Sequence, residues 1–163
     1  MHVSLILSTY NRARYLELSL LGYMRQTHKD FEIIVADDGS TDGTDAVIKK
    51  YKMIAPFPIE HLWQENKGFR LAKMRNEGIK ASRYDYIVFS DGDCVPRHDF
   101  LATHERFAAA KRFLSGGLVR LPLGLSEQLQ VNDVVSGRAF SPSWLVRNGL
   151  RPDKKCIMIA TPK

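Results

Sequence analysis

Val3-Ser4-Leu5-Ile6-Leu7-Ser8-Thr9-Tyr10-Asn11-Arg12 decides the fold. Its first half is a short apolar, β-prone run, and its second half stops at polar turn residues. That is the pattern of a buried strand delivering its end to a loop. Helical spacing follows from Ala13 to Gln26, where Tyr15, Leu16, Leu20, Tyr23 and Met24 recur at three- and four-residue intervals. A second buried strand, Phe31-Glu32-Ile33-Ile34-Val35-Ala36, then ends at Asp37-Asp38-Gly39-Ser40. Strand, helix and strand in this order imply a parallel pair, because parallel neighbours need a crossover connection.

The alternation continues outward. A helix is expected from Thr41 or Asp42 to Tyr51, and Pro56 and Pro58 then interrupt the chain. Ile59-Glu60-His61-Leu62-Trp63 reads as a third strand, Gly68 opens a helix from Phe69 to Ala81, and Tyr86-Ile87-Val88-Phe89-Ser90 is a fourth strand running into Asp91-Gly92-Asp93. Another helix is expected between Pro96 and Phe113, and a strand over Leu114 to Leu121. Beyond Gly124 the periodicity weakens. The fold class is α/β, a Rossmann-like, mostly parallel sheet flanked by helices. Residues 1–123 form the α/β domain and residues 124–163 a basic, weakly patterned extension.

At 163 residues, 44% of them apolar and 26% charged, the chain has the size and composition of a globular domain. Cys94 and Cys156 are too few for a disulfide framework or a cysteine-based zinc site, and read as reduced thiols. No apolar run approaches the ~18 residues of a membrane span, and the N-terminus lacks the basic leader of a secretion signal. The expected location is cytoplasmic. The net charge of +6 is uneven: Arg138, Arg147, Arg151, Lys154, Lys155 and Lys163 face one late acid, Asp153, so five of the six charges lie there. Such an end suits peripheral contact with an anionic membrane at its inner face, or is simply solvated. Nucleic acid is disfavoured, since no recognised motif accompanies the charge.

In an open α/β sheet, ligands bind beyond the carboxyl ends of the strands. Strand one delivers Ser8, Thr9, Tyr10 and Asn11 there, strand two Asp37 and Asp38, strand four Asp91 and Asp93. Four carboxylates on one edge repel one another unless cations are present, and Asp-Gly-Asp suits a hard divalent cation. The other reading is a plain turn, with Asp93 capping the next helix. Tyr10 offers a face for a nucleobase or is a packed tyrosine. Lys67, Arg70, Lys73 and Arg75 surround a helix start, where basic groups hold diphosphates, or form a solvated face. A receiver-type signalling domain would need a lone aspartate where Trp63-Gln64-Glu65-Asn66 stands. No Gly-x-Gly-x-x-Gly follows strand one, which disfavours a dinucleotide dehydrogenase.

Val3 to Arg12, then Val35-Ala36-Asp37-Asp38-Gly39-Ser40-Thr41-Asp42, resembles the opening of family-2-type inverting glycosyltransferases of GT-A-like fold. Gly68-Phe69-Arg70-Leu71-Ala72-Lys73-Met74-Arg75-Asn76 and Phe89-Ser90-Asp91-Gly92-Asp93-Cys94-Val95-Pro96 continue the likeness in order. It looks closest to chondroitin-polymerase-type domains and bacterial surface-polysaccharide transferases. The resemblance implies a nucleotide-sugar donor, a UDP- or dTDP-sugar, and a glycan or lipid-linked acceptor. It implies donor contacts from Ser8, Thr9, Tyr10, Arg12, Asp37, Asp38, Arg70, Lys73 and Asp91. Asp91 and Asp93 would be the catalytic acids, with Asp93 the ligand of Mn²⁺ or Mg²⁺. The relatives' second half carries an Asn-Met-Ser-like segment and a Gly-Trp-Gly-x-Glu-Asp-like segment that holds the catalytic base. Gly124 to Lys163 matches neither. The expectation is therefore a truncated donor-binding half, the alternative being a non-catalytic nucleotide-sugar-binding module that needs a partner.

Overall fold

The computed structural model describes residues 1–151. They divide into two compact units, Met1–Glu105 and a second that begins at Arg106. The first contains β1 (Val3–Thr9), α1 (Ala13–Met24), β2 (Phe31–Asp37), α2 (Thr44–Ile54), β3 (Ile59–Trp63), α3 (Leu71–Ala81) and β4 (Tyr86–Asp91), with α4 (Phe100–Phe107) at its end. The four strands form one sheet in the order β3-β2-β1-β4, and every pairing is parallel.

Strand parity explains the layers, since alternate side chains face opposite sides of a sheet. Val3, Leu5 and Leu7 of β1 and Phe31, Ile33 and Val35 of β2 pack with Leu16, Leu20 and Tyr23 of α1 and Ile48 and Tyr51 of α2. Ile6 and Ala36 point the other way and meet Met74 of α3, with Leu62 and Ile87 alongside. Covering both faces is what permits near-continuous apolar strands. Each such aliphatic side chain contributes roughly 1.5–3 kcal/mol by leaving water. The polar interruptions are paired: buried Glu32 accepts from Ser4 Oγ at 2.8 Å and from the Arg83 backbone N–H at 2.8 Å.

The elements of the first unit match the sequence reading in type and order, and their ends move for identifiable reasons. Helix α1 stops at Met24, so Gln26 lies beyond it. The Gln26 amide donates to Gly22 and Arg97 carbonyls and accepts from Leu101 N–H, tying the loop after β4 to α1. Helix α2 waits until Thr44 because Asp42 serves as a cap: its carboxylate accepts from Ala13 N–H at 2.9 Å and from Thr44 Oγ1 at 2.6 Å. One side chain thus caps the first turns of two helices. Burial alone would raise the Asp42 pKa, but the donors from Ala13 and Thr44 outweigh it and hold the carboxyl below its usual range. Asp42→Ala should therefore cost about 1 kcal/mol, the usual worth of a cap. A depressed folded pKa contributes stability above the unfolded value, near 3.9, and loses it as pH falls through the folded one. Urea titrations of both proteins should show the gap at neutral pH and its closure on acidification. A gap that does not depend on pH would refute the capping role.

In the second unit, α5 (Leu123–Gln128), α6 (Val131–Val135), a 3₁₀ turn (Arg138–Phe140) and α7 (Pro142–Arg147) are short. Leu125, Leu145 and Leu150 pack with Val119, Leu121 and Trp144. Residues 114–121, expected as a strand, form none. Gly116 and Gly117 break the run, and glycine weakens a strand interior. Buried Asp133 caps α6 through Gln130 N–H and pairs with Arg138. No helix among the described residues is long and apolar enough to cross a membrane. Half of the six basic residues of that end, Lys154, Lys155 and Lys163, lie outside the described residues, so the expected membrane contact is not placed.

Candidate functional site

The parallel register brings the strand ends to one edge. Ser8 pairs with Ala36 on one side and Asp91 on the other, Thr9 with Asp37, and Asp37 with Trp63. Strands β1, β2 and β4 each extend one or two residues past their apolar runs, so Thr9, Asp37 and Asp91 are themselves ladder residues. Beyond them two loops are laced together. Asn11 N–H donates to Ser40 Oγ at 2.9 Å, and Thr41 N–H donates to Asn11 Oδ1 at 2.8 Å. Asn11 reaches this position through a left-handed backbone, φ 46°.

The two adjacent aspartates of β2 have different tasks. Asp37, 1% exposed, accepts from Ser40 N–H at 2.8 Å and Ser40 Oγ at 2.6 Å on Oδ1, while Oδ2 meets His61 Nε2 at 3.1 Å. Its Oδ1 is saturated. Asp38 accepts one bond on each oxygen, from Gln64 Nε2 at 2.5 Å and from Arg70 N–H at 2.7 Å. Each of its oxygens retains a lone pair for a further donor. Holding Arg70 N–H to Asp38 also explains why α3 starts at Leu71 rather than Phe69. Tyr10 stands half exposed, and its hydroxyl accepts from the Asn66 amide.

At the end of β4 the chain turns sharply: Gly92 N–H donates to Ser8 O at 2.6 Å and Cys94 N–H to Asp91 O at 3.0 Å. A Cβ on Gly92 would lie 3.0 Å from Ser8 O and 3.1 Å from Thr9 Cβ, so a larger residue would have to push the end of β1 aside by a few tenths of an ångström. Helix α4 begins only at Phe100. Asp93 is therefore not its cap, and the plain-turn-with-cap reading fails in its second half. The Asp91 and Asp93 carboxylates face solvent, and with Cys94 Sγ they offer ligand atoms within 4.8 Å of one another. Hard oxygen donors at this spacing fit Mn²⁺ or Mg²⁺, which take carboxylates and keep several waters.

Burial pushes the Cys94 thiol up to about 11, and Asp93 and Asp91 add to the shift. The thiolate is the reactive form. Folded Cys94 should therefore be alkylated at neutral pH about 100-fold more slowly than in urea. Peptide mapping after iodoacetamide, which separates Cys94 from Cys156, reads this. Equal rates would show the thiol to be unperturbed.

The basic residues separate. Arg70 donates from its guanidinium to Glu65 O, and Lys67 pairs with Glu65 at 2.9 Å. Lys73 lies in a shallow surface depression with Asn76, Glu77, Ile79 and Lys80. Arg75, on the same helix, reaches the acids instead: Nη2 donates to Asp91 Oδ1 at 3.0 Å and Nε to Ser8 Oγ at 3.3 Å. Arg12 lies with its guanidinium 6.0 Å from the Tyr15 ring centroid. Of the sequence-derived set, Ser8, Thr9, Tyr10, Asp37, Asp38, Arg70, Asp91 and Asp93 gather at the edge, while Arg12 lies beside Tyr15 and Lys73 lines a surface depression. His61, Gln64 and Asn66 join the site without having been singled out. Four buried side-chain polar atoms lack a hydrogen-bond partner among the described residues, and three belong here: Thr9 Oγ1, Gln64 Oε1 and Arg70 Nε. The fourth is the Tyr23 hydroxyl.

This is a Rossmann-like α/β domain with a carboxylate-rich site at the carboxyl edge of its sheet. Residues 4–119 match the family described as Glycosyl transferase family 2, and the chain belongs to that family. It is 34% identical over 95 residues to a chondroitin synthase of Escherichia coli, covering 58% of this chain and 14% of that protein. It is 36% identical over 115 residues to a validoxylamine A glucosyltransferase of Streptomyces hygroscopicus subsp. jinggangensis, covering 67% of this chain and 27% of that one. Among solved structures it resembles a mannosyltransferase of Pyrobaculum calidifontis, determined with GDP-Man and Mn²⁺. The TM-score is 0.61 at 27% identity, over 68% of this chain and 33% of the other. The fold is GT-A-like, and the chain spans well under half the length of each of these proteins.

Proposed function

We propose that this chain binds a nucleoside-diphosphate sugar at the carboxyl edge of its sheet and acts as the donor-binding part of a glycosyltransferase with a glycan or lipid-linked acceptor. The observation that carries this is the group of unpartnered buried atoms, Thr9 Oγ1, Gln64 Oε1 and Arg70 Nε, beside two exposed carboxylates. Such orphans are rare in folded proteins, and a polar ligand supplies the missing partners.

In this reading Asp38 accepts an N–H of the base with its open lone pairs, and Tyr10, fixed by Asn66, stacks on the ring. Ser8 and Thr9 serve the ribose, and Arg70 contacts the base or the diphosphate. Asp37 builds the turn that places Asp38. Asp93 holds Mn²⁺ or Mg²⁺ with Asp91 at its margin. A bound cation of this kind supplies Lewis-acid assistance to the departing nucleoside diphosphate. In the whole transferase, direct displacement with inversion would need a carboxylate base to take the acceptor proton. The mannosyltransferase of similar fold, holding GDP-Man and Mn²⁺, supports the pairing of donor and cation. Calorimetry with UDP, dTDP and GDP, each with Mn²⁺ or with EDTA, tests the reading. One of the three should bind, and only with the cation. No binding by any of them discards the donor site, and equal binding in EDTA discards the cation.

A further inference from the structure

Resting on that reading of the site, we infer that Arg75 is its internal cation, the charge that a divalent ion displaces from Asp91 on entering. Asp91 and Asp93 present two carboxylates within 4.8 Å, an arrangement that repels itself when no positive charge is near. Arg75 supplies one. Its Nη2 donates to Asp91 Oδ1 at 3.0 Å, its Nε to Ser8 Oγ at 3.3 Å, and its guanidinium lies 6.0 Å from the Phe89 ring centroid. The side chain is thus held on three sides, by the acid, the strand end and the ring. Arg70, on the same stretch, donates to Glu65 O, and Lys73 lines a surface depression away from the acids. Arg75 therefore positions Asp91 and Ser8 in the cation-free site rather than adding to a loose basic face.

Two consequences follow from the chemistry of guanidinium. Arginine stays charged throughout the accessible pH range, so no proton has to leave and the counter-ion is always present. The pair is also partly solvated, with side-chain exposures of 37% and 57%, and partly exposed ion pairs are weak enough to be exchanged. A bare divalent ion must compete with Arg75 for Asp91. A diphosphate arriving with the ion gives the released fork of N–H donors a matching set of oxygens. Arg75 thereby disfavours the cation alone and favours cation and nucleotide together.

The test uses the full chain, Mn²⁺ alone and electron paramagnetic resonance of the free ion. Arg75→Gln should bind bare Mn²⁺ about 1.5- to 5-fold more tightly than wild type, the range expected when a partly exposed ion pair is removed. Arg75→Lys keeps the charge and should stay near wild type. The gain should vanish in an Asp91→Ala background. UDP measured with saturating Mn²⁺ should bind more weakly to Arg75→Gln. Tighter Mn²⁺ binding is not an effect that general damage to the fold produces, and Arg75→Met serves as a second neutral variant should the glutamine protein misfold. Unchanged or weaker Mn²⁺ affinity in the neutral variants, alongside intact Mn²⁺-dependent UDP binding, overturns this inference alone. Absence of Mn²⁺ binding and of UDP, dTDP and GDP binding from every protein, wild type included, overturns the donor-site reading as well.

Discussion

Asp93→Ala should remove the cation-dependent part of nucleoside-diphosphate binding and leave the fold intact. Asp93 is exposed and follows the glycine that makes the turn, and its carboxylate accepts a long bond from the Cys94 thiol at 3.8 Å, so its loss opens no cavity in the core. Its carboxylate stands with those of Asp91 and the Cys94 thiol as the one candidate cation cluster among the described residues. Groups that merely orient a metal ligand change affinity by about 10–100-fold when replaced, so removing a ligand should cost at least the upper figure. Calorimetry with UDP and Mn²⁺ should show a loss of about 100-fold or more, with an unchanged melting temperature. Affinity that survives in the variant would move the cation away from Asp93.

Gly39→Ala should destabilise the first unit and disorder the base side of the site together. Gly39 has φ 96°, in the left-handed region, and a Cβ there would lie 2.6 Å from the Asn66 backbone nitrogen. Strain of that backbone kind costs about 1–3 kcal/mol, and forcing a methyl into a closed contact adds about 1–3 kcal/mol more. The flexible end of a side chain could yield, but the atom met is backbone. Movement of Asn66 would also release the Tyr10 hydroxyl. Urea denaturation should therefore give a loss of about 2–6 kcal/mol, accompanied by weaker nucleotide binding. A loss near zero would mean that the loop carrying Asn66 is free to retreat.

Family membership and site geometry constrain different statements. The match over residues 4–119 places the chain in its family, while the roles of single residues rest on distances. The two adjacent aspartates of β2 illustrate this. Their identical chemistry gave no reason to separate them along the chain, yet Asp37 is consumed by Ser40 and His61 while Asp38 keeps capacity on both oxygens. Carboxylates away from the site have partners of their own. Glu105 meets His28 at 3.1 Å, and Asp133 caps α6.

The sequence by itself determined the parallel sheet, the order of its strands and helices, and the edge at which polar residues collect. Those follow from local periodicity: apolar runs of strand length, helical spacing between them, and turn residues where each run stops. It also singled out Asp91 and Asp93, because two acids around a glycine at a strand end are unusual wherever the strand lies. Only the tertiary structure decided which basic residue meets them. Lys73 and Arg75 are two positions apart on α3, and a helix turns by 3.6 residues, so they point in different directions. Which direction faces the acids depends on how α3 packs through Met74 onto Ile6 and Ala36. His61, Gln64 and Asn66 escaped notice for the same reason. Their partners are 24, 26 and 56 residues away along the chain, and no local pattern encodes a contact that exists only once β1, β2 and β3 lie side by side. Residues 114–121 mark the opposite limit: a run apolar enough to look like a strand does not become one where two glycines weaken it.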